Sequence, residues 1–328
     1  MSDSNTRRCL VTGATGYVGG NLVPVLLDRG HTVRALARTP GKLDDIPWRD
    51  RVEVAKGDLG DADSLTEAFT DVDVVYYLVH SMGTSKDFER EEAMSADNVV
   101  IAAKRAGVQR IVYLSGLHPP NTADLSKHLR SRTAVGDKLI ASGIETLVLQ
   151  AGIVVGSGSA SFEMIRHLTD RLPVMTAPKW VHNKIQPISV DDVLHYLTEA
   201  ATAEVPTSRT WDIGGPDVLE YGDAMQVYAE VAGLRRRLIV ALPWLTPTIA
   251  SLWVGLVTPM PSGLARPLIE SLECNAVAAN SDIDAVIASP TNGLTGYRNA
   301  VARALRRGPL PSDPDWAGPR RRLWTAQR

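Results

Sequence analysis

Cysteine is scarce in this sequence of 328 residues, and neither sign of charge is in clear excess. The two cysteines, Cys9 and Cys274, are too few for a disulfide scaffold and predict a reducing, cytoplasmic location. The 35 lysines and arginines nearly balance the 37 aspartates and glutamates. The composition therefore argues against a nucleic-acid-binding protein, which normally has a strongly basic face.

A long apolar run without proline is also missing. The longest stretch without a charged residue runs from Leu238 to Ala265, and four prolines interrupt it. Its longest proline-free piece, residues 248–258, would rise about 16 Å as a helix, about half of a hydrocarbon core. We therefore predict a buried or interfacial segment instead of a transmembrane span. Peripheral contact of residues 238–265 with a membrane stays open.

Apolar strands and amphipathic helices alternate through the first half of the chain. Residues 72–79 are almost wholly apolar, as in a central strand of a parallel sheet. The alternation predicts an α/β fold with a Rossmann-type doubly wound parallel sheet and right-handed crossovers. We place the Rossmann domain at residues 1–155, with elements up to about residue 235 returning to it. Residues 156–328 would form a smaller C-terminal lobe and tail, interleaved with the Rossmann core.

A glycine-rich loop, TGATGYVGG at residues 12–20, follows the first predicted strand and opens the first helix. Glycines permit a tight turn and let a pyrophosphate approach the backbone, where helix N–H groups meet its charge. The strand–turn–helix context predicts a dinucleotide site, although a turn needed only for packing would leave the same glycines. The candidate cofactor residues of this loop are Gly13, Thr15, Gly16, Tyr17 and Val18.

The end of the second predicted strand carries arginines instead of a carboxylate. Folds that prefer NAD place Asp or Glu there to bind the ribose diol. This sequence has Arg34 and Arg38, and no carboxylate before Asp44. Two arginines suit a 2′-phosphate, so NADP(H) is the predicted cofactor. The alternative is a pair of surface arginines at a strand end.

These motifs resemble the short-chain dehydrogenase/reductase superfamily, in its extended and atypical branches. Besides the glycine loop, the matching motifs are GDL at 57–59, YLVHSM at 77–82 and YLSG at 113–116. The resemblance covers about residues 7–235 and is closest to the NmrA-like and YbjT-like NAD(P)H-binding proteins. It implies that Asp58 and Leu59 meet the adenine.

The residues after the central strand are candidates for the nicotinamide pocket. Ligands of open α/β sheets bind in the crevice at the carboxyl ends of the strands. Val79, His80 and Ser81 follow the central strand at this edge. We therefore expect these three residues to line the cofactor site.

The helix that should carry the superfamily's catalytic pair contains no tyrosine. The resemblance implies a tyrosine, a lysine four residues later, and a serine on the fifth strand, for which Ser115 is the candidate. Leu129 and Thr133 occupy the aligned positions, and His128 and Arg132 stand one residue earlier.

His128 and Arg132 keep the four-residue spacing and share a helix face. In one hypothesis His128 is the acid/base and Arg132 holds the cofactor ribose or a substrate oxyanion. In the other, both residues only cap loops or pair with carboxylates. His118, which precedes two prolines, is interpreted as structural. The seven histidines show no metal-ligand spacing, so no metal is predicted.

Six of the seven tryptophans lie in the second half, Trp180 and Trp211 among them. They favour an apolar substrate lobe, or simply the core of that lobe. The sequence thus predicts an NADP(H)-dependent atypical reductase acting on an apolar small molecule, such as an isoprenoid-like carbonyl or enone. The alternatives are a non-catalytic NADP(H)-binding sensor and a redox-neutral epimerase or dehydratase. The expected state is a monomer or homodimer.

Overall fold

A parallel sheet of seven strands lies at the centre of the molecule. The computed structural model describes residues 6–80, 87–119, 121, 125–242 and 258–307. All strand pairs in the sheet are parallel. In spatial order the strands are β3 (Glu53–Lys56), β2 (Thr32–Ala37), β1 (Arg8–Val11), β4 (Val74–Tyr77), β5 (Arg110–Gly116), β6 (Glu145–Ala151) and β11 (Arg209–Ile213).

Helices cover both faces of this sheet. On one face, α1 (Tyr17–Asp28) and α6 (Val190–Glu199) bury their apolar sides against the strands. The opposite face is covered by α2 (Ala62–Ala68), α3 (Phe88–Ala106) and α4 (Lys127–Ala141). The predicted doubly wound, Rossmann-type parallel sheet is therefore confirmed.

Local sequence fixes where several of these helices begin and end. The Asp61 carboxylate accepts hydrogen bonds from the first backbone N–H groups of α2, and the Ser126 hydroxyl accepts one from Leu129 N in α4. Helix α3 ends at Gly107, whose φ of +73° is a left-handed conformation that glycine adopts at little cost. These caps set the helix ends that approach the strand termini.

A second hydrophobic core lies in the C-terminal half. It is built by α5 (Ala160–Arg171), α7 (Tyr221–Val231), α8 (Ser262–Ser271) and α9 (Tyr297–Arg306). Against these helices packs a two-stranded parallel ribbon of β8 (Val174–Ala177) and β13 (Leu238–Ala241). Two short pairings, β7 (Val154–Val155) with β10 (Ile188–Ser189) and β9 (Lys184–Ile185) with β12 (Leu219–Glu220), join this lobe to the sheet. Short 3-10 turns occupy Pro40–Leu43, Arg49–Arg51, Lys179–His182 and Asp282–Ala285.

The two halves interleave along the chain. Strand β11 returns to the central sheet, and Trp211 is buried in the sheet's core. Helix α7 packs in the second core instead, where Trp180 is also buried. Residues 243–257 of the uncharged stretch lie outside the described ranges. Every helix within those ranges is too short or too polar to cross a membrane.

Candidate functional site

The glycine loop joins β1 to α1 at the carboxyl edge of the sheet. The Thr12 hydroxyl donates to the Tyr76 carbonyl and accepts from Leu78 N, each at 3.0 Å, and this ties the loop to β4. Gly13 has a φ of +69°, and a Cβ there would lie 3.0 Å from the Leu78 carbonyl oxygen. Only glycine fits this position without strain, so the loop leaves a cradle open above the strand ends.

The N-terminus of α1 faces the same edge. Gly16 is its N-cap residue and supplies no side chain, and the first turn contains no acidic residue. The first N–H groups of a helix have no partner within the helix and favour an anion. A pyrophosphate therefore fits the space in front of α1.

A cavity of about 940 Å³ lies along the carboxyl ends of β1, β2, β4 and β5. This volume is at the upper end of the range for small-molecule sites. The structure brings most of the sequence-predicted residues together here. Those lining the cavity are Gly13, Thr15, Gly16, Tyr17, Val18, Arg38, Asp58, Leu59, Val79, His80, Ser115 and Arg132. Ser81 lies outside the described residues.

Two cations stand at the β2 end of the cavity. Arg38 directly follows β2, and Lys42 lies on the short turn after it. Both side chains are exposed and make no hydrogen bond or ion pair with any described residue. The sequence did not predict Lys42, although the Pro40-Gly41 dipeptide before it indicates that the chain turns there.

Arg34, the other arginine predicted to meet the cofactor, does not line this cavity but lines an adjoining one together with Arg38 and Asp58. Its guanidinium donates to the Glu53 carboxylate at 2.9 Å and to the carbonyls of Ala68 and Thr70 at 2.7 and 2.8 Å. Arg34 lies in the middle of β2, whereas the cavity meets only the carboxyl end of that strand. Its side chain therefore fastens β2 to β3 and to the end of α2.

Asp58 and Leu59 form a turn on the cavity wall. The Asp58 Oδ1 atom accepts a hydrogen bond of 2.9 Å from Gly60 N. The Leu59 carbonyl accepts one of 2.8 Å from the Asn98 side chain on α3. These bonds hold the turn in place beside the end of β3.

The other end of the cavity contains Ser115 and Arg132. Ser115 lies on β5, and its Oγ atom is buried without a hydrogen bond of ordinary geometry among the described residues. The Arg132 side chain on α4 makes no hydrogen bond or ion pair with a described residue, and its Nη1 atom lies near Gly116. A buried hydroxyl, which also interacts with the Tyr113 side chain, and a permanent cation thus line the same cavity.

His80 lies beside this pair as a neutral base. Burial lowers the pKa of His80 well below its usual value, and the positive charge of Arg132 lowers it further. A hydrogen bond with the Leu114 backbone acts in the opposite direction, and the ring meets Tyr113 edge-on at 5.8 Å. The imidazole therefore stays uncharged near neutral pH, with one nitrogen engaged by a carbonyl.

His128 does not line the cavity, contrary to the hypothesis that it faces the crevice. Its ring stacks on Phe88 with 4.3 Å between the ring centroids, and its Nε2 atom lies 3.8 Å from Glu270 Oε2 on α8. Its side chain is only 16% exposed. Phe88, which itself lines the cavity, covers the imidazole. Burial lowers the pKa of His128, and the Glu270 charge partly opposes that shift.

The residues at the two positions aligned with the superfamily's tyrosine and lysine serve packing and hydrogen bonding. Leu129 is buried, and the Thr133 hydroxyl lies 3.0 Å from His118 Nε2. His118 also contacts the Gln150 amide at 3.0 Å and its own neighbour's carbonyl at 2.8 Å. His118 therefore connects α4 to β6, in agreement with its structural interpretation. The described residues contain no cluster of potential metal ligands.

The second half of the chain closes one side of the cavity with small residues. The loop before α5 and the first turn of that helix supply Ser159, Ala160 and Ser161 to the wall. A Cβ at Gly156 would collide with the Tyr17 hydroxyl, so the loop lies close against the start of α1. Helices α3 and α8 contribute the apolar side chains of Phe88, Met94 and Leu268 to the wall, together with the polar side chains of Glu91 and Ser95.

Comparison with known proteins agrees with this geometry. Residues 13–160 match the family model described as NAD(P)H-binding. Over 150 residues the chain is 37% identical to a 3 beta-hydroxysteroid dehydrogenase/Delta 5→4-isomerase of Mycobacterium tuberculosis, covering 43% of this chain and 36% of that protein. It is 31% identical over 153 residues to a farnesyl-dihydroquinoline-oxide ketoreductase of Stigmatella aurantiaca, covering 44% of this chain and 46% of that protein. The chain thus spans less than half the length of these relatives.

Solved structures match over more of the chain at lower identity. The NADP(H) complex of a triphenylmethane reductase from Citrobacter sp. superposes with a TM-score of 0.69 at 19% identity, covering 90% of this chain and 99% of that one. The NADPH complex of a quinone oxidoreductase from Escherichia coli gives 0.70 at 19% identity, covering 90% and 98%. These likenesses establish the fold. Residues 13–160 match the NAD(P)H-binding family model, and the solved structures share the Rossmann-type fold of this chain.

Proposed function

We propose that this protein is an NADPH-dependent reductase of an apolar carbonyl compound. The observation that carries the proposal is the juxtaposition of the buried Ser115 hydroxyl and the Arg132 guanidinium, which has no ion pair with a described residue, at one end of the dinucleotide cavity. Phe88, Met94 and Leu268 add apolar side chains to the cavity wall, beside the polar side chains of Glu91 and Ser95. An apolar molecule with one polar oxygen matches such a site.

NADPH fits the residues that are present. The cradle at Gly13 and the open N-terminus of α1 would hold the pyrophosphate. Arg38 and Lys42 would hold the 2′-phosphate, which NADH lacks. Bound NADPH would supply a hydride to the substrate carbon.

The residues of the chain act on the substrate oxygen. Ser115 donates a hydrogen bond to the carbonyl, and the Arg132 guanidinium stabilises the negative charge that develops on the oxygen. Arginine does not release a proton near neutral pH, and the free His80 nitrogen only accepts. The proton that completes the alcohol therefore comes from water, and catalysis rests on charge stabilisation instead of a general acid.

The test is reduction of lipophilic carbonyl compounds, followed by loss of the reduced-nicotinamide absorbance. Wild type is compared with Arg132→Met and with Arg130→Met on the same helix. The Arg130 guanidinium donates to the Leu125 carbonyl and does not line the cavity. Turnover by wild type and Arg130→Met, with loss in Arg132→Met, supports the proposal. Equal turnover in all three proteins contradicts it.

A non-catalytic NADP(H) sensor is the second candidate. Leu129 and Thr133, at the positions aligned with the tyrosine and lysine, serve packing and hydrogen bonding. NADPH binding without consumption, across carbonyl compounds of varied size, would favour this candidate. A redox-neutral epimerase or dehydratase would convert substrate while the bound cofactor ends unchanged, which product analysis distinguishes.

A further inference from the structure

The ribbon formed by β8 and β13 presents an apolar face to solvent. Val174 is 58% exposed, Leu238 59% and Val240 41%. In the ribbon's register Leu238 stands opposite Val174, and Val240 stands opposite the exposed Thr176. The alternate residues Met175 and Ile239 point the other way and pack on the second core. Contiguous exposed aliphatic side chains on a strand pair indicate a contact surface.

Positive charge flanks both ends of this face. Arg235 and Arg236 precede β13, and Lys179 follows β8. All three are exposed and make no hydrogen bond or ion pair through their side chains with any described residue. No aspartate or glutamate occurs in residues 171–190, which surround β8, or in residues 231–269, which surround β13. This local excess of positive charge stands out in a chain whose net charge is −2.

The exposed aliphatic face and the positive charges beside it together indicate what kind of surface the ribbon would bind. An aliphatic face bordered by cations, built by two segments that themselves contain no carboxylate, complements a surface that is negatively charged above an apolar layer. A second copy of this face would bring like charges together, which disfavours self-association through it. We propose that the outer face of the β8–β13 ribbon docks on an anionic membrane surface, independently of the reaction proposed above.

The position of the ribbon leaves the cavity open. The first turn of α5 lines the cavity, whereas the ribbon follows the last turn of the same helix. A helix of 12 residues rises about 18 Å, so docking would occur at the far end of α5. NADPH affinity is therefore expected to be the same for free and docked protein.

The experiment is co-sedimentation of the full chain with vesicles. Phosphatidylcholine vesicles are compared with vesicles of phosphatidylcholine mixed with phosphatidylglycerol, at low and high salt. We expect binding to the anionic vesicles only, weakened by salt. The double variant Arg235→Gln/Arg236→Gln should bind about 30-fold more weakly, since each basic residue near an anionic leaflet contributes about fivefold. Leu238→Glu should lose about tenfold.

Matched controls separate this surface from general effects. Arg90→Gln/Lys104→Gln removes two exposed charges from α3, and Val218→Glu changes an exposed aliphatic residue elsewhere. Both should bind vesicles like wild type, and all variants should keep NADPH affinity, which shows that they are folded. Unchanged vesicle binding by both ribbon variants overturns the proposal. So does a dimer in sedimentation analysis that Leu238→Glu dissociates, since it assigns the face to a second copy.

Discussion

The two ends of the cavity differ in how much of their chemistry is carried by backbone. At the dinucleotide end, the Gly13 cradle and the open start of α1 offer main-chain geometry, and Arg38 and Lys42 add positive charge. At the other end, Ser115, Arg132 and His80 are side chains from three separate elements. The geometry of the dinucleotide end therefore depends on local sequence spacing, whereas the geometry of the other end depends on how the helices pack.

The same contrast predicts which end tolerates substitution. A backbone cradle fails when any side chain fills it, whatever the chemistry of that side chain. A side-chain site fails gradually, according to which charge or hydroxyl is removed. Four changes test this difference, and they are given in order of decreasing expected effect.

The largest effect is expected for Gly13→Val. A valine at this φ would be strained, and its Cβ would press on the Leu78 carbonyl and fill the cradle. Titration calorimetry should show no measurable dinucleotide binding. Gly30→Val is the matched control, because Gly30 also has a positive φ, +87°, but has open space around it. The control should lose stability and still bind, and binding by folded Gly13→Val would place the cofactor elsewhere.

Arg132→Met should reduce turnover about 10²–10³-fold, the usual cost of removing a donor that stabilises a developing oxyanion. NADPH affinity should change little, because Arg132 stands at the opposite end of the cavity from Arg38 and Lys42. Steady-state kinetics and calorimetry measure the two quantities separately. Arg132→Lys should recover part of the activity, since it keeps the charge but loses the planar fork. A variant that loses affinity but not turnover would assign Arg132 to the cofactor.

Removing Arg38 and Lys42 together should weaken NADPH binding about 10–100-fold and leave NADH binding nearly unchanged. One charged hydrogen bond contributes about 1.5–3 kcal/mol, and because both cations are exposed and screened by solvent, we take their joint contribution to be about that of one such bond; only NADPH carries the 2′-phosphate. Calorimetry with both dinucleotides gives the ratio of affinities. Arg34→Ala is the control, because that guanidinium holds Glu53 and two carbonyls and should affect stability but not the ratio. An unchanged ratio in the double variant would contradict the proposed NADPH preference.

The sequence was sufficient for the sheet and for the glycine loop, because both follow from local periodicity and spacing. It could not show that Glu53 and two carbonyls bind Arg34, because alternation along a strand gives the face of a residue but not its partners on neighbouring elements. It misplaced His128. Four-residue spacing puts His128 and Arg132 on one side of α4, but Phe88 and Glu270 cover the first of them, and they come from α3 and α8. The β8–β13 ribbon was not predicted from the sequence, because its two strands are separated by 60 residues and only the tertiary structure pairs Leu238 with Val174.

The smallest effect on turnover is expected for His128→Phe, within about twofold, because the residue lies outside the cavity and phenylalanine keeps the stacking on Phe88.

The effect of His128→Phe on stability should depend on pH. Burial lowers the pKa of His128 below the unfolded value, so the folded state favours the neutral ring. Above the unfolded pKa near 6.5 the ring is neutral in both states, and its burial costs the folded state nothing through protonation. Below that pH the unfolded chain binds the proton more readily than the folded state, so the free energy of unfolding falls. Urea denaturation at about pH 7 and pH 5 should therefore show a smaller acid loss of stability in His128→Phe than in wild type. Equal losses would mean that Glu270 compensates for the burial of the ring, and a large fall in turnover would restore His128 to the catalytic end of the cavity.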